Sequence, residues 1–405
     1  MATNTTHATS QASVSESNRS RIVKHLYHNG ISSRAQIAKA LELTPAAITK
    51  ITARLIEAGM IEETGDLEGS KNRRSIGLKL NTTRFRVIGI KFARSLVQIG
   101  VFGLCGNALS IENLPTVYDN TIDDTIATIH QRVEQLLDND PSIVAIGMAV
   151  PGPYLRNVGR TAVVSSMQGW RRINFIDEFV TAFRVPVFIE QDARAGALAH
   201  YLFDPSVHAD GNLAYYLVGE GVGLGVIDNG RLINGFLGAA TEIGHISIDV
   251  NGRPCDCGQH LGCLERYCST PAIHDTLIAD GTVVPGAADM THTEAARALF
   301  AKAGDGDEAA IAIVREVARY VGYGCVTIFN GYNPEHIIIG DIVSEAGPIL
   351  LDEVRATVAE RAIPEINAST SISLSTLSAD AAVSGAAAVA VTQFLEHPSV
   401  FFDVS

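Results

Sequence analysis

His245, Cys255, Cys257 and Cys263 put one imidazole and three thiols into 19 residues of chain. Soft nitrogen and sulfur donors at that spacing suit a tetrahedral Zn²⁺. The Cys-x-Cys pair, with Gly258 and Gly262 breaking the run before the third thiol, makes a loop short enough to wrap an ion. Four protein ligands leave no position for water, so the zinc is expected to be structural. Reduced thiols in an intracellular loop, or a disulfide, are the alternatives. Three cysteines within nine residues are far denser than six scattered over 405 would give, and a cytosolic setting disfavours the disulfide. Cys105, Cys268 and Cys325 stand alone and read as small buried hydrophobes.

Three acid/base groups, Glu242, His245 and Glu265, border this loop. A metal that fixes the loop also fixes where they point, as in a clamp beside a small-molecule pocket. Upstream, a strand-length run at 185–188 leads through Glu190-Gln191-Asp192 into an Ala-rich helix. Ligands of α/β sheets sit at the carboxyl ends of strands, so Gln191 and Asp192 are candidates for the same pocket, with a helix cap as the plainer role for Asp192. Residues 219–225 form a Gly-rich turn of the kind that admits a phosphate, although Glu220 in its middle would repel one.

A different chemistry is written near the start of the chain. Residues 18–60 hold seven basic side chains against two acidic, +5, whereas the whole chain carries −13, which leaves −18 elsewhere. That asymmetry predicts a nucleic-acid-binding module on an acidic body. Three helices fit there. The first keeps Ile22, Leu26 and Tyr27 at helical spacing and stops at Asn29-Gly30. The second opens on the capping box Ser33 to Gln36 and buries Ile37, Ala40 and Leu41. The third takes Thr44 as N-cap and Pro45 as its first residue, turns Ile48, Ile51, Ala53 and Leu55 inward, and ends at Gly59.

Glu42-Leu43 is then the tight connection of a helix-turn-helix. Its last helix offers Pro45, Ala46, Ala47, Thr49 and Lys50 to the major groove of double-stranded DNA, with Arg34 and Thr44 beside them. Strand-like runs at 60–64 and 75–80 flank a wing whose Lys71, Arg73 and Arg74 reach the adjacent groove or phosphates. A three-helix packing module with a solvated hairpin is the alternative.

These groups need a scaffold, and 405 residues at 46% hydrophobic and 19% charged supply two or three domains. The chain starts with no signal-like segment and holds no apolar run of membrane length, so a cytoplasmic protein without a membrane partner is expected. Residues 1–17 read as a disordered tail, and 18–82 as the winged helix-turn-helix. From Arg84 on, strand-length apolar runs (87–90, 96–102, 145–150, 213–217) alternate with helical stretches (122–137, 315–329, 381–395). The alternation predicts an α/β fold of two lobes: 83–200, completed by a C-terminal helix at 381–397, and 201–380, which carries the zinc loop.

With the helix-turn-helix, Glu242-x-Gly-His245 and the Cys-x-Cys-Gly-x-x-Gly-Cys-x-Glu run in hand, the chain resembles the ROK family of repressors and sugar kinases, on its repressor branch. The resemblance covers essentially 18–395. It implies an actin-like sugar-kinase fold after the winged helix, and Zn²⁺ on His245, Cys255, Cys257 and Cys263. It also implies a homodimer or homotetramer on a palindromic operator, and a sugar or sugar-phosphate effector. Sugar contacts are implied for Asp192, Glu242, His245 and Glu265, with Gly152, Ser166 and Gly238 nearby and Gln191 where the kinases carry Asn. His245 would serve zinc through one ring nitrogen and the sugar through the other.

The family's kinase motif Asp-x-Gly-Gly-Thr is replaced by Lys91-Phe-Ala-Arg-Ser95, and Glu220 replaces Thr in the second motif, so no kinase activity is expected. The expectation is a sugar-responsive regulator, a repressor of carbohydrate uptake or catabolism genes. A bifunctional ATP-dependent sugar kinase and a repressor governed by a protein partner are the alternatives.

Overall fold

Why the chain turns helical as early as Gln11 is a matter of docking. The computed structural model describes residues 11–66, 75–93, 96–162, 168–207, 211–258, 260–377 and 381–402, and in it α1 runs Gln11–Asn29. The described part of the stretch expected to be disordered is therefore helix. No Gly or Pro interrupts it, and Glu16 is anchored by the Ser399 amide at 3.1 Å and hydroxyl at 2.5 Å, a contact that local composition does not reveal. Gly30, at φ +66°, ends the helix.

Next come β1 (Ser32–Ser33), α2 (Arg34–Leu41) and α3 (Pro45–Glu57). The Ser33/Gln36 capping box is formed, Glu42 turns the chain at φ +54°, and the Thr44 hydroxyl accepts the Ala47 N–H at 3.3 Å. Ile22, Val23, Leu26, Ile37, Ile48 and Leu55 make the core of this bundle. Two expected core positions, Ala40 and Ala53, face solvent instead. On α3 the line through Ile48, Ile51 and Leu55 takes in Thr52, whose hydroxyl donates to the Ile48 carbonyl at 2.8 Å, and leaves Ala53 on the opposite side. The antiparallel pair β2 (Ile61–Asp66) and β3 (Ile76–Leu80) completes a sheet of order β1-β3-β2. Lys71, Arg73 and Arg74 at the wing tip lie outside the described residues.

The first lobe begins as a meander of β4 (Arg86–Phe92), β5 (Val97–Gly103) and β6 (Ala108–Asn113). It continues through α4 (Ile122–Asn139), β7 (Ile143–Val150), the small hairpin β8 (Tyr154–Leu155) and β9 (Arg160–Thr161), β10 (Val187–Gln191) and α5 (Asp192–Phe203). The sheet order is β10-β7-β4-β5-β6, with β7 and β10 parallel to β4.

The second lobe repeats the plan. Its meander is β11 (Leu213–Val218), β12 (Val222–Asp228) and β13 (Arg231–Leu232). Helices α6 (Glu265–Cys268), α7 (Thr270–Asp280), α8 (His292–Gly304) and α9 (Glu308–Tyr332) lead to β14 (His336–Gly340), and α10 (Pro348–Arg361) and α11 (Pro364–Asn367) to β15 (Ser371–Leu374). The order β13-β12-β11-β14-β15, with β14 and β15 parallel to β11, matches the first sheet strand for strand. Hydrophobic periodicity marks strands but not their order, so this repeat was invisible in the sequence.

The Gly-rich segment at 219–225 is not an open turn. It is a tight hairpin whose Gly223 and Gly225 already lie in β12, where added Cβ atoms would stand 2.7 Å from those of Ala193 and Ala197. Those glycines bring α5 against the second sheet. The final helix, α12 (Ala381–Glu396), returns to the first lobe and lies on β4 and β7; a Cβ on Gly89 would come within 2.8 Å of the Val383 carbonyl. One apolar cluster runs without a break from Ile22 and Leu26 of α1 through Phe85, Val87 and Val144 to Val391 and Phe401. Among the described residues no helix is long and apolar enough to cross a membrane.

Candidate functional site

Between the lobes lies a cleft of about 960 Å³, and Gly152, Gln191, Asp192, Glu242, His245 and Glu265 all line it. Gln191 and Asp192 arrive at the junction of β10 and α5, where Asp192 is the first helical residue rather than the cap; its carboxylate accepts the adjoining Ala193 N–H at 2.7 Å, and no side chain caps the helix. Glu242 and His245 come from a single helical turn. The preceding Thr241 holds φ +68°, unusual for a β-branched side chain, with its hydroxyl 2.5 Å from the carbonyls of Leu224 and Ala240. Backbone strain of this kind costs about 1–3 kcal/mol and persists where the surroundings impose it. Glu265 opens α6 and accepts the Val222 N–H at 3.0 Å.

The Gln191 amide donates to Glu242 at 3.3 Å, while its carbonyl oxygen is buried with no partner among the described residues. An incoming hydroxyl would satisfy it. Burial, then the nearby charges of Asp192 and Glu265, opposed by Arg194, push the Glu242 carboxyl up to about 7. A carboxyl that is half protonated near neutrality both donates and accepts, which suits a polyhydroxylated ligand. Gly238, at φ +77°, packs on Arg156, and Ser166 lies outside the described residues.

The cleft is also lined by Lys91, Glu220, Arg297, Asp341 and Glu345. Arg297 grips Glu345 through two 2.8 Å bonds. Arg94 and Ser95 lie outside the described residues, while Ala93 and Leu96 close the β4–β5 turn with a 2.8 Å backbone bond. Asp341, at φ +70° just past β14, escaped the sequence reading, although the strand-end rule that found Gln191 points to it equally. Deeper in, buried His200 of α5 meets Ser375, just past β15, at 3.1 Å and so ties the lobes together; burial, against the pull of Asp204, lowers its pKa.

Beside the cleft, the donor atoms of His245, Cys255, Cys257 and Cys263 all lie within 4.8 Å of one another. The Cys257 and Cys263 sulfurs are 3.8 Å apart, and Cys255 is 3.9 Å from His245 Nδ1. A zinc–sulfur bond of ~2.3 Å gives a tetrahedral edge of ~3.8 Å, so this donor set fits a zinc-sized ion. Burial and the adjoining thiols raise the Cys263 pKa, a proton-holding tendency that a cation would reverse. Gly262, at φ +71°, lets the loop close over the Asp249 backbone. All six cysteines are free thiols. Cys268 and Cys325 are buried as expected, but Cys105 is exposed, because it sits in the β5–β6 turn rather than in a strand.

On the N-terminal bundle, Thr44, Pro45, Ala46, Thr49 and Lys50 are exposed along the start of α3, and Ala47 is half-buried. Arg34, half-buried beside this face, bonds to Glu63 at 2.8 Å and Thr52 at 3.2 Å. Ala53 extends the exposed stripe of Ala46, Thr49 and Lys50 by one helical step; its spacing could have marked it as a groove-facing residue.

The ROK family model matches residues 87–393, more than half of the chain. The chain belongs to the ROK family. A winged helix-turn-helix DNA-binding model matches residues 16–62 of this ROK protein. Its similarity to the xylose repressor of Bacillus spizizenii is 27% identity over 394 residues, spanning 95% of this chain and 98% of that one. With the DNA-binding transcriptional dual regulator NagC of Escherichia coli it is 29% over 360 residues, 86% of each. Among solved structures, a ROK family transcriptional regulator described as a homolog of the E. coli MLC protein superposes at TM-score 0.81 with 28% identity, over 96% of this chain and 99% of that one. A Streptomyces griseus ROK glucokinase in complex with glucose and AMPPNP superposes at 0.65 with 25% identity, over 75% of this chain and 99% of that one. This ROK protein therefore joins a winged helix-turn-helix to the actin-like sugar-kinase fold.

Proposed function

We propose that the protein is a sugar-responsive transcriptional repressor of carbohydrate uptake or catabolism genes. The observation that carries this is the union, in one chain, of an exposed α3 reading face with a cleft where Gly152, Gln191, Asp192, Glu242, His245 and Glu265 converge. Residues 18–82 form the DNA-binding unit, 83–200 with 381–397 the first lobe, and 201–380 the second. Thr44, Pro45, Ala46, Ala47, Thr49 and Lys50 face the operator, and Lys71, Arg73 and Arg74 of the wing reach its phosphates. Arg34, beside the α3 face, contacts the operator and also pairs with Glu63 of β2. Paired half-sites call for a homodimer or homotetramer, working in the cytoplasm where the DNA is.

His245, Cys255, Cys257 and Cys263 hold a structural Zn²⁺, which keeps Glu242 and Glu265 aimed into the cleft. A sugar or sugar phosphate there donates to Gln191 and the carboxylates, and shifts the lobes only by its differential affinity for two states. Lys91 stands where a kinase needs a metal-holding acid, so the protein binds without phosphorylating.

The test is fluorescence anisotropy on a duplex selected by the protein from a random pool, titrated with sugars and their 6-phosphates. One compound should release the duplex from the wild type and leave Glu242→Ala bound. Release by none of them, or equal release from the variant, would remove the cleft from the account.

A further inference from the structure

Helix α1 belongs to the DNA-binding bundle on one side and to the end of the chain on the other. Its Ile22, Val23 and Leu26 face α2, α3 and the first lobe, while its polar face meets residues 396–402. Glu16 takes two hydrogen bonds from Ser399, Lys24 pairs with Glu396 at 2.9 Å, and Arg19 lies 5.6 Å over the Phe402 ring. Burial works against the Glu16 charge, yet the Ser399 hydroxyl and amide and Arg19 hold its carboxyl below the usual value. Tyr27 adds hydroxyl contacts to the carbonyls of Leu104, at 3.1 Å, and Leu202, at 3.3 Å. Phe401, 1% exposed, plugs the same cluster against Phe394 at 5.1 Å between ring centres.

We propose that Glu16, Lys24 and the turn Pro398–Phe401 are positioning residues for operator recognition: they lock the reading bundle to the first lobe as one rigid body and so set the separation of the paired α3 helices. None of them needs to touch DNA. A helix fastened at Glu16, Lys24 and Tyr27 along one side, with its other side in a continuous core, has no free rotation to offer. A bundle on a loose tether would instead accept half-sites at several spacings. The inference rests on the paired-half-site reading above.

The experiment uses the full-length protein and the duplex it selects from a random pool, rebuilt with half-sites moved apart by one, two and three base pairs. Wild type should lose about tenfold or more in affinity as the spacing departs from the selected one. Glu16→Ala with Ser399→Ala, and separately Lys24→Glu, should flatten that dependence, holding the re-spaced duplexes within about threefold of the selected one, with an unchanged salt slope. Adding Glu396→Lys to Lys24→Glu should restore discrimination, a rescue that loss of general stability would not give. If the Glu16/Ser399 pair melts early, the Lys24 arm decides alone, since both partners of that ion pair are about one-third exposed. Variants that keep the wild-type melting point and the wild-type spacing profile overturn the proposal. A wild type indifferent to spacing overturns the paired-half-site reading, and this inference with it.

Discussion

Two sets of side chains line the cleft: Gln191, Asp192, Glu242 and Glu265, beside a strained turn braced by the cysteine loop, and Lys91 of β4 with Ala93, Glu220 and an Arg297–Glu345 pair. The first leaves the buried Gln191 carbonyl oxygen without a partner among the described residues. The second spends its charges on each other, as Arg297 and Glu345 do. One cleft thus holds a polar group without a partner beside charges already paired with each other.

The largest way to break that contrast is to remove the brace. Replacing Cys263 by Ser should lower the bound zinc below one per chain and cost several kcal/mol of stability, since ligand-set binding energy is folding energy. Metal analysis with thermal melting checks both; full stability without metal would uncouple the loop from the cleft. Next, Glu242→Ala should weaken effector binding by about a hundredfold, ~3 kcal/mol, the scale of a lost charge-assisted contact in a buried site. Calorimetry measures it, and a change under threefold would move the effector elsewhere.

A comparable effect is expected from pH. The Glu242 carboxyl is raised in the fold from 4.5 to about 7. Its protonated form is the one the fold prefers, so the stabilisation it provides is full below 4.5 and is lost as pH rises to about 7. Glu242→Gln should be no more stable than wild type in acid and gain relative to it by ~3 kcal/mol at most by pH 8. A constant difference across denaturant melts from pH 4.5 to 8 would show that the carboxyl is not perturbed. The smallest effect belongs to the second set. Lys91→Asp with Ala93→Gly should yield no sugar phosphate from ATP and glucose, because Glu220 and the Arg297–Glu345 pair remain; any product would show that the cleft is a kinase site two residues from working.

The reading bundle was legible because its signals are local. Ser33 to Gln36, Thr44-Pro45 and Gly30 are caps and stops that act within one helical turn, and the structure places all of them where the sequence does. The cysteine loop was legible for the same reason. What stayed hidden is whatever depends on distant partners: the matching order of the two sheets, the glycines of β12 that admit α5, and the strain at Thr241. Thr52 is instructive, for composition alone favours Ala53 as the apolar residue, and only the helical line through Ile48 and Leu55 decides between them. The helical start at Gln11 required a partner nearly four hundred residues away.

That last contact sets a timetable for synthesis. Glu16 and Ser399 are 383 residues apart, and α12, which fills the back of β4 and β7, is made after the whole second lobe. Chains grow from the N-terminus at roughly 5–20 residues per second, so the DNA-reading bundle leaves the ribosome long before the strut that fixes it exists. The second lobe, contiguous from β11 to β15, can close on itself in the meantime. If the strut sets the separation of the paired α3 helices, a nascent chain gains its spacing discrimination only after α12 and Ser399 have been made.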